Sequence, residues 1–164
     1  MTVQGLSSLQ RKLRALPLRV KALIREAMGK GADEIVAMAK SLVAVDDGTL
    51  RDSIGWTWGK APRGSLTIGS IKETGGDLTI TIYAGDDEAF YARWIEFGTA
   101  PHSTSKGGGT KAGQALLSSG GGTSHPGSSA RPFFYVSYRA LRKRTRGRIT
   151  RAINKAAKDV AAGG

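Results

Sequence analysis

Leu6, Leu9, Leu13, Leu16, Val20, Leu23 and Ala27 recur at alternating spacings of three and four, the interval that lines apolar side chains along one stripe of an α-helix. Pro17 stands inside that run. Proline has no N–H to donate and its ring crowds the preceding turn, so the pattern predicts a short helix to about Ala15 and another beginning near Pro17. Ile35, Met38 and Leu42 resume the stripe about one position out of phase, beyond Gly29 and Gly31. This predicts a helix that runs to about Val43 and bends in its middle. A helix of that extent is about 39 Å long, enough to organise the rest of a 164-residue chain.

DDGTLRDSI, from Asp46 to Ile54, breaks the helix with residues whose short carboxylates bond nearby backbone N–H groups in turns. Short β-branched and aromatic runs follow at residues 54–59, 65–71 and 77–84, separated by Pro62 with Gly64 and by Gly75 with Gly76. They read as an antiparallel meander with one face buried. YARWIEFGTA, residues 91–100, reads as a short helical turn or a strand. A last helix is expected from about Pro132 to Ala161, capped by Ser128 or Ser129, with Phe134, Tyr138, Leu141, Ile149, Ile153, Ala156 and Val160 as its apolar stripe. The fold class is therefore α+β: a long N-terminal helix and a C-terminal helix packed on a small, mostly antiparallel sheet. All 164 residues form one domain in this reading, with helices in 6–43, the sheet region in 54–100, a loop or arm in 101–130 and the last helix in 131–161.

Residues 103–130 differ in kind. Eight of these 28 residues are glycine and ten are serine or threonine, with Leu116 and Leu117 the only large apolar groups. Such a segment cannot offset its ordering entropy alone, so it is either a long flexible loop or a hairpin arm that orders against a neighbour.

The charge is polarised. The chain carries a formal +12, but residues 1–40 hold +5, residues 41–100 hold −4 and residues 130–164 hold +9. Attraction between one copy's basic end and another copy's acidic middle is as economical a reading as binding to nucleic acid. RKRTRGRITR, residues 142–151, is the most basic stretch, and on a helix it can contact phosphates without base-reading motifs. No apolar run approaches a bilayer span, and the charged N-terminus lacks the pattern of a signal peptide, which implies no membrane association.

Chemistry-bearing patterns are sparse. Without cysteine there is no thiolate metal site, disulfide or cysteine nucleophile. His102 and His125 lie in the glycine-rich segment without acidic residues between them, and no Gly-x-Ser-x-Gly elbow appears. GGGTKAG, residues 107–113, lacks the Gly-Lys-Ser/Thr ending of a phosphate loop, and no helix with a good apolar stripe is expected after it. The acidic groups Asp46, Asp47 and Asp52, or Asp86, Asp87 and Glu88, lack calcium-loop spacing. The expectation is a non-enzyme with no catalytic residues, no metal and no cofactor.

Three segments in order carry a resemblance: a helix followed by DDGTLRDSI, then YARWIEFGTA, then ARPFFYVSYRAL. Together, over about Leu6 to Lys158, they resemble the gene-product-ten-like neck or tail-completion proteins of long-tailed phages, prophages and gene transfer agents. The long Gly/Ser-rich insertion at 101–129 departs from the family's more modest connection. The resemblance implies a structural virion protein of the head–tail connector, located at the neck or tail after assembly in the host cytoplasm. It implies a homo-oligomeric ring of six-fold symmetry that joins the DNA-filled head to the tail and lets DNA pass, beside other connector and tail-terminator or tail-tube proteins. The alternative is a small basic DNA-binding or packaging accessory protein.

In that role the candidate subunit or partner contacts are Glu96, Phe97, Gly98, Thr99, His102, Leu116, Leu117, Arg131, Arg142, Arg144, Arg146 and Arg148. Glu96 and Arg131 are expected to pair and close the base of the insertion. Phe133, Phe134 and Trp94 are expected as core anchors.

Overall fold

The computed structural model describes residues 18–67, 78–104, 110–119 and 123–161. The expected first helix, its break at Pro17 and much of the turn between the last two expected strands lie outside the described residues.

Helix α1, Leu18–Leu42, runs without interruption through Gly29 and Gly31. Its buried stripe is Val20, Ile24, Ala27, Ile35 and Ala39, followed by Val43 just past its end. The expected Met38 and Leu42 sit one position off that stripe, and Leu42 is exposed. Gly31 has a packing reason: a Cβ there would collide with Thr145 of helix α5, Phe134–Ala161. The two long helices are antiparallel, with Val20 and Ile24 near Ala156 at one end and Val43 near Phe133 and Phe134 at the other.

Past α1, Asp47 Oδ1 accepts the Thr49 N–H at 2.9 Å and starts the single turn α2, Thr49–Asp52. Three strands follow: β1, Gly55–Trp58; β2, Leu66–Thr67; and β3, Ile80–Ala84. All pairs are antiparallel, but the order is β1-β3-β2, so the expected meander is corrected. The β-branched strand β3 takes the centre, where both of its edges are hydrogen-bonded; Trp56 stands opposite Ile82, and Leu66 opposite Ala84. The sheet packs on α1 through β1 and β3. Trp56 Nε1 donates to Asp33 at 2.7 Å, and the Arg25 guanidinium lies 4.0 Å from the Trp58 ring centre. Helix α5 packs chiefly on α1, and Tyr135 reaches the sheet with a hydroxyl bond to the Thr67 carbonyl.

One ionic cluster ties the long helices together. Glu34 Oε1 accepts from Arg148 at 2.5 Å and lies 3.3 Å from Arg144. The Arg148 hydrogen bond, with the charge of both arginines, holds the Glu34 carboxyl below the usual carboxylate range. A depressed pKa stabilises the fold above the unfolded value, and that contribution is lost as pH falls through the folded one. Glu34→Gln should therefore melt below wild type at neutral pH, and the gap should close as pH falls through the carboxylate range. Thermal melts of both proteins from about pH 7 to about pH 3 check this; a gap independent of pH would show that the charge of Glu34 is not what matters.

Candidate assembly surface

Helix α3, Ala92–Phe97, follows a turn in which Asp86 Oδ1 accepts from Glu88 and Ala89 N–H groups at 3.0 and 2.8 Å. Helical spacing divides its apolar residues between two faces. Tyr91, Ala92 and Ile95 turn inward onto the core cluster containing Ala39, Leu50, Ile54 and Phe133. Phe90, Trp94 and Phe97, spaced by four and three, form the other face and are 54%, 50% and 56% exposed. Trp94 is thus not the expected core anchor; its ring meets Phe90 edge to face with centroids 5.4 Å apart. Phe97 lies against Tyr135 at 5.7 Å. Large aromatics in a row at the surface mark a contact face more readily than scattered exposure does.

Acidic groups border that face. Asp87 and Glu88 are exposed just before Phe90. Burial pushes the Tyr91 hydroxyl pKa up, and nearby Asp47, Asp46 and Glu88 push it the same way.

Glu96 takes a different part from the one expected. It is 2% exposed, and its carboxylate accepts the backbone N–H groups of Phe133, Phe134 and Tyr135 at 2.8, 2.8 and 3.0 Å. A single carboxylate therefore caps α5 from 37 residues upstream, replacing the expected serine cap. Both of its oxygens are engaged there, so the expected pairing with Arg131 is replaced as well. Arg131 contributes through its backbone, whose N–H bonds the Ile95 carbonyl at 2.8 Å, and its side chain is exposed. Phe133 and Phe134, placed by the cap, are both fully buried.

Beyond Gly98 the chain leaves as a two-stranded stem. Thr99 and Ser128 exchange backbone hydrogen bonds at 3.0 and 3.1 Å, and β4, His102–Ser103, pairs antiparallel with β5, Ser124–His125. The rings of His102 and His125 stack at 5.1 Å. Gly98, at φ +71°, is required here because a Cβ would strike the Ser128 carbonyl. Within the segment expected as a loop or hairpin arm, a short helix begins inside GGGTKAG: α4, Lys111–Ser118, on which Leu116 is half exposed and no described residue is buried. The Leu117 side chain lies outside the described residues.

The arginines of α5 divide between surfaces. Arg142 and Arg146 are exposed, together with Arg139 and Lys143. Arg144 and Arg148 are the Glu34 partners, and Arg148 is only 22% exposed. Among the described residues, no helix is long and apolar enough to cross a membrane.

A family profile described as "Bacteriophage HK97-gp10, putative tail-component" matches residues 7–98, more than half of the chain. No curated protein and no solved structure matches the chain. The matched span contains α1, the sheet, the aromatic face and the Glu96 cap, while the arm stem and α5 follow it. The chain belongs to the HK97-gp10-like family of phage tail components.

Proposed function

We propose that this tail component works at the neck of the particle, as a subunit of a closed ring that joins the DNA-filled head to the tail and lets DNA pass. It acts by association alone, with no bond made or broken, assembling in the host cytoplasm and remaining in the virion beside other connector and tail-terminator or tail-tube proteins. The observation that carries this reading is the half-exposed face of Phe90, Trp94 and Phe97 within the family-matched span. Its occupant is the next copy of the chain. The exposed face of α5, with Val136, Arg139, Arg142, Lys143 and Arg146, complements it in charge and offers guanidinium groups to aromatic rings. A contact between two different patches is heterologous and closes into a ring when the rotation per subunit divides a full turn. Six copies would match a six-fold tail.

Native mass spectrometry of the purified chain should show one closed oligomer, and electron microscopy of particles carrying a labelled chain should place it at the neck. A monomer at micromolar concentration with no label at the neck would overturn the proposal.

A further inference from the structure

The ionic cluster at Glu34 lies beside a cleft between α1 and α5. The cleft has a volume of about 340 Å³, and its walls are matching helical stripes: Glu26, Ala27 and Lys30 from α1 face Arg148, Arg151 and Lys155 from α5. The small side chain of Ala27 leaves room where a longer residue would fill the gap. Four cations and one carboxylate line the space, an excess of three positive charges.

The single carboxylate offsets one of the four charges, chiefly that of Lys30, and Lys155 also lowers its pKa. Glu26 is bonded to Lys30 at 2.6 Å, with both side chains about 60% exposed, the kind of surface pair that exchanges readily with other ions. Arg148 is committed to Glu34, and its Nη1, like Glu34 Oε2, is buried without a hydrogen-bond partner, so it forms the wall of the cleft and leaves the anion to its exposed neighbours. Arg151 and Lys155 are exposed and, among the described residues, have no acidic group within 4.0 Å. On α5, Arg144, Arg148, Arg151 and Lys155 are spaced by four, three and four, so they form one stripe about 17 Å long. Exposed cations repeated along a linear stripe, here Arg144, Arg151 and Lys155, suit a row of anionic oxygens better than a single small anion.

The geometry points to this cleft as a binding site for consecutive phosphodiester groups of a DNA backbone, which makes the α1–α5 groove the side of the protein that faces DNA. The inference rests on the reading that DNA passes this protein, and it adds which surface DNA meets. Recognition here involves no base edges, so affinity is independent of sequence and falls steeply with salt. This stripe is separate from the exposed Arg139, Arg142, Lys143 and Arg146 assigned above to the neighbouring copy, so the two contacts can be broken independently.

The test uses full-length protein and a labelled random-sequence DNA duplex, with anisotropy titrations across a range of salt and the oligomer mass measured on the same samples. Arg151→Gln and Lys155→Gln together should weaken binding roughly tenfold or more near physiological salt. They should also reduce the slope of log K against log salt by about 1.8, or 0.9 per lost phosphate contact. Oligomer mass should not change. Each single change is compared with Arg63→Gln, which removes the same charge from an exposed turn after β1 and should alter the slope far less. A slope that changes equally for Arg63→Gln, or no DNA binding by wild type, would overturn the site while the ring stands on its own mass measurement. Loss of the oligomer in the double variant would overturn it too, by making the cleft a protein contact. Tripolyphosphate that binds the wild-type cleft where duplex does not would assign it to a free anion instead.

Discussion

Glu96→Ala should lower the stability of the fold by about 3 kcal/mol or more, the largest effect expected of any single exchange of an ionisable side chain here. The substitution removes one carboxylate but leaves three backbone N–H groups, those of Phe133, Phe134 and Tyr135, without their acceptor. Bonds to a charged acceptor contribute roughly 1.5–3 kcal/mol each, and a buried donor left unmade bears its full desolvation penalty. The losses are not additive, because the end of the helix can fray and admit water. For a chain of this size about 3 kcal/mol corresponds to a melting temperature lower by roughly 6–12 °C. Glu96→Gln keeps one acceptor oxygen and should lose less, since its amide nitrogen faces N–H groups that need an acceptor. Gly98 and the Thr99–Ser128 pairing lie two and three residues further on, so faster amide exchange at Thr99 and Ser128 should accompany the loss. A change under about 1 kcal/mol would mean that the cap is replaceable by water and that the arm stem is held by its own pairing.

Exchanging Phe90 and Trp94 together for serine should have the opposite signature, with assembly lost and the fold kept. Both rings are already half exposed, so their removal opens no core cavity, and the melting temperature of the isolated subunit should move by no more than about 2 °C. At an interface, aromatic anchors of this kind contribute about 2 kcal/mol each. Losing two is then worth on the order of a thousandfold in subunit affinity. Sedimentation or native mass measurement across a concentration series reads this directly. A ring that persists at wild-type concentrations would remove Phe90 and Trp94 from the interface, and a collapse of the fold would show that they serve the subunit and not its neighbour.

The two expected effects separate what was legible in the residue order from what was not. Helices α1 and α5 lay close to where their periodicity placed them, because a long amphipathic stripe is a local property. The turn at Asp47 was legible for the same reason: an aspartate two residues before the N–H it accepts needs no distant partner. Phe133 and Phe134 were legible as core residues from bulk and setting. Trp94 was misread because YARWIEF has two apolar faces. Spacing alone pairs Tyr91 with Ile95 and Phe90 with Trp94, and only the position of the core says which pair turns inward. The strand order failed similarly, since the turns at Pro62 and Gly64 permit either neighbour and the pairing is a contest between strands for β3.

Glu96 shows the boundary most clearly. Residue order alone placed a carboxylate two residues before a glycine in a segment that could be a helical turn or a strand, placed the start of a long helix at ARPFF, and put a polar, glycine-rich segment between them. It could not determine that the carboxylate would meet the start of the later helix, nor that Arg148 and Glu34, 114 residues apart, would share a bond. Periodicity, turn chemistry and charge blocks act over a few residues and so are written locally. Caps from afar, the choice of buried face and the walls of the α1–α5 cleft depend on which surfaces exclude water from each other, and only the packed chain decides that.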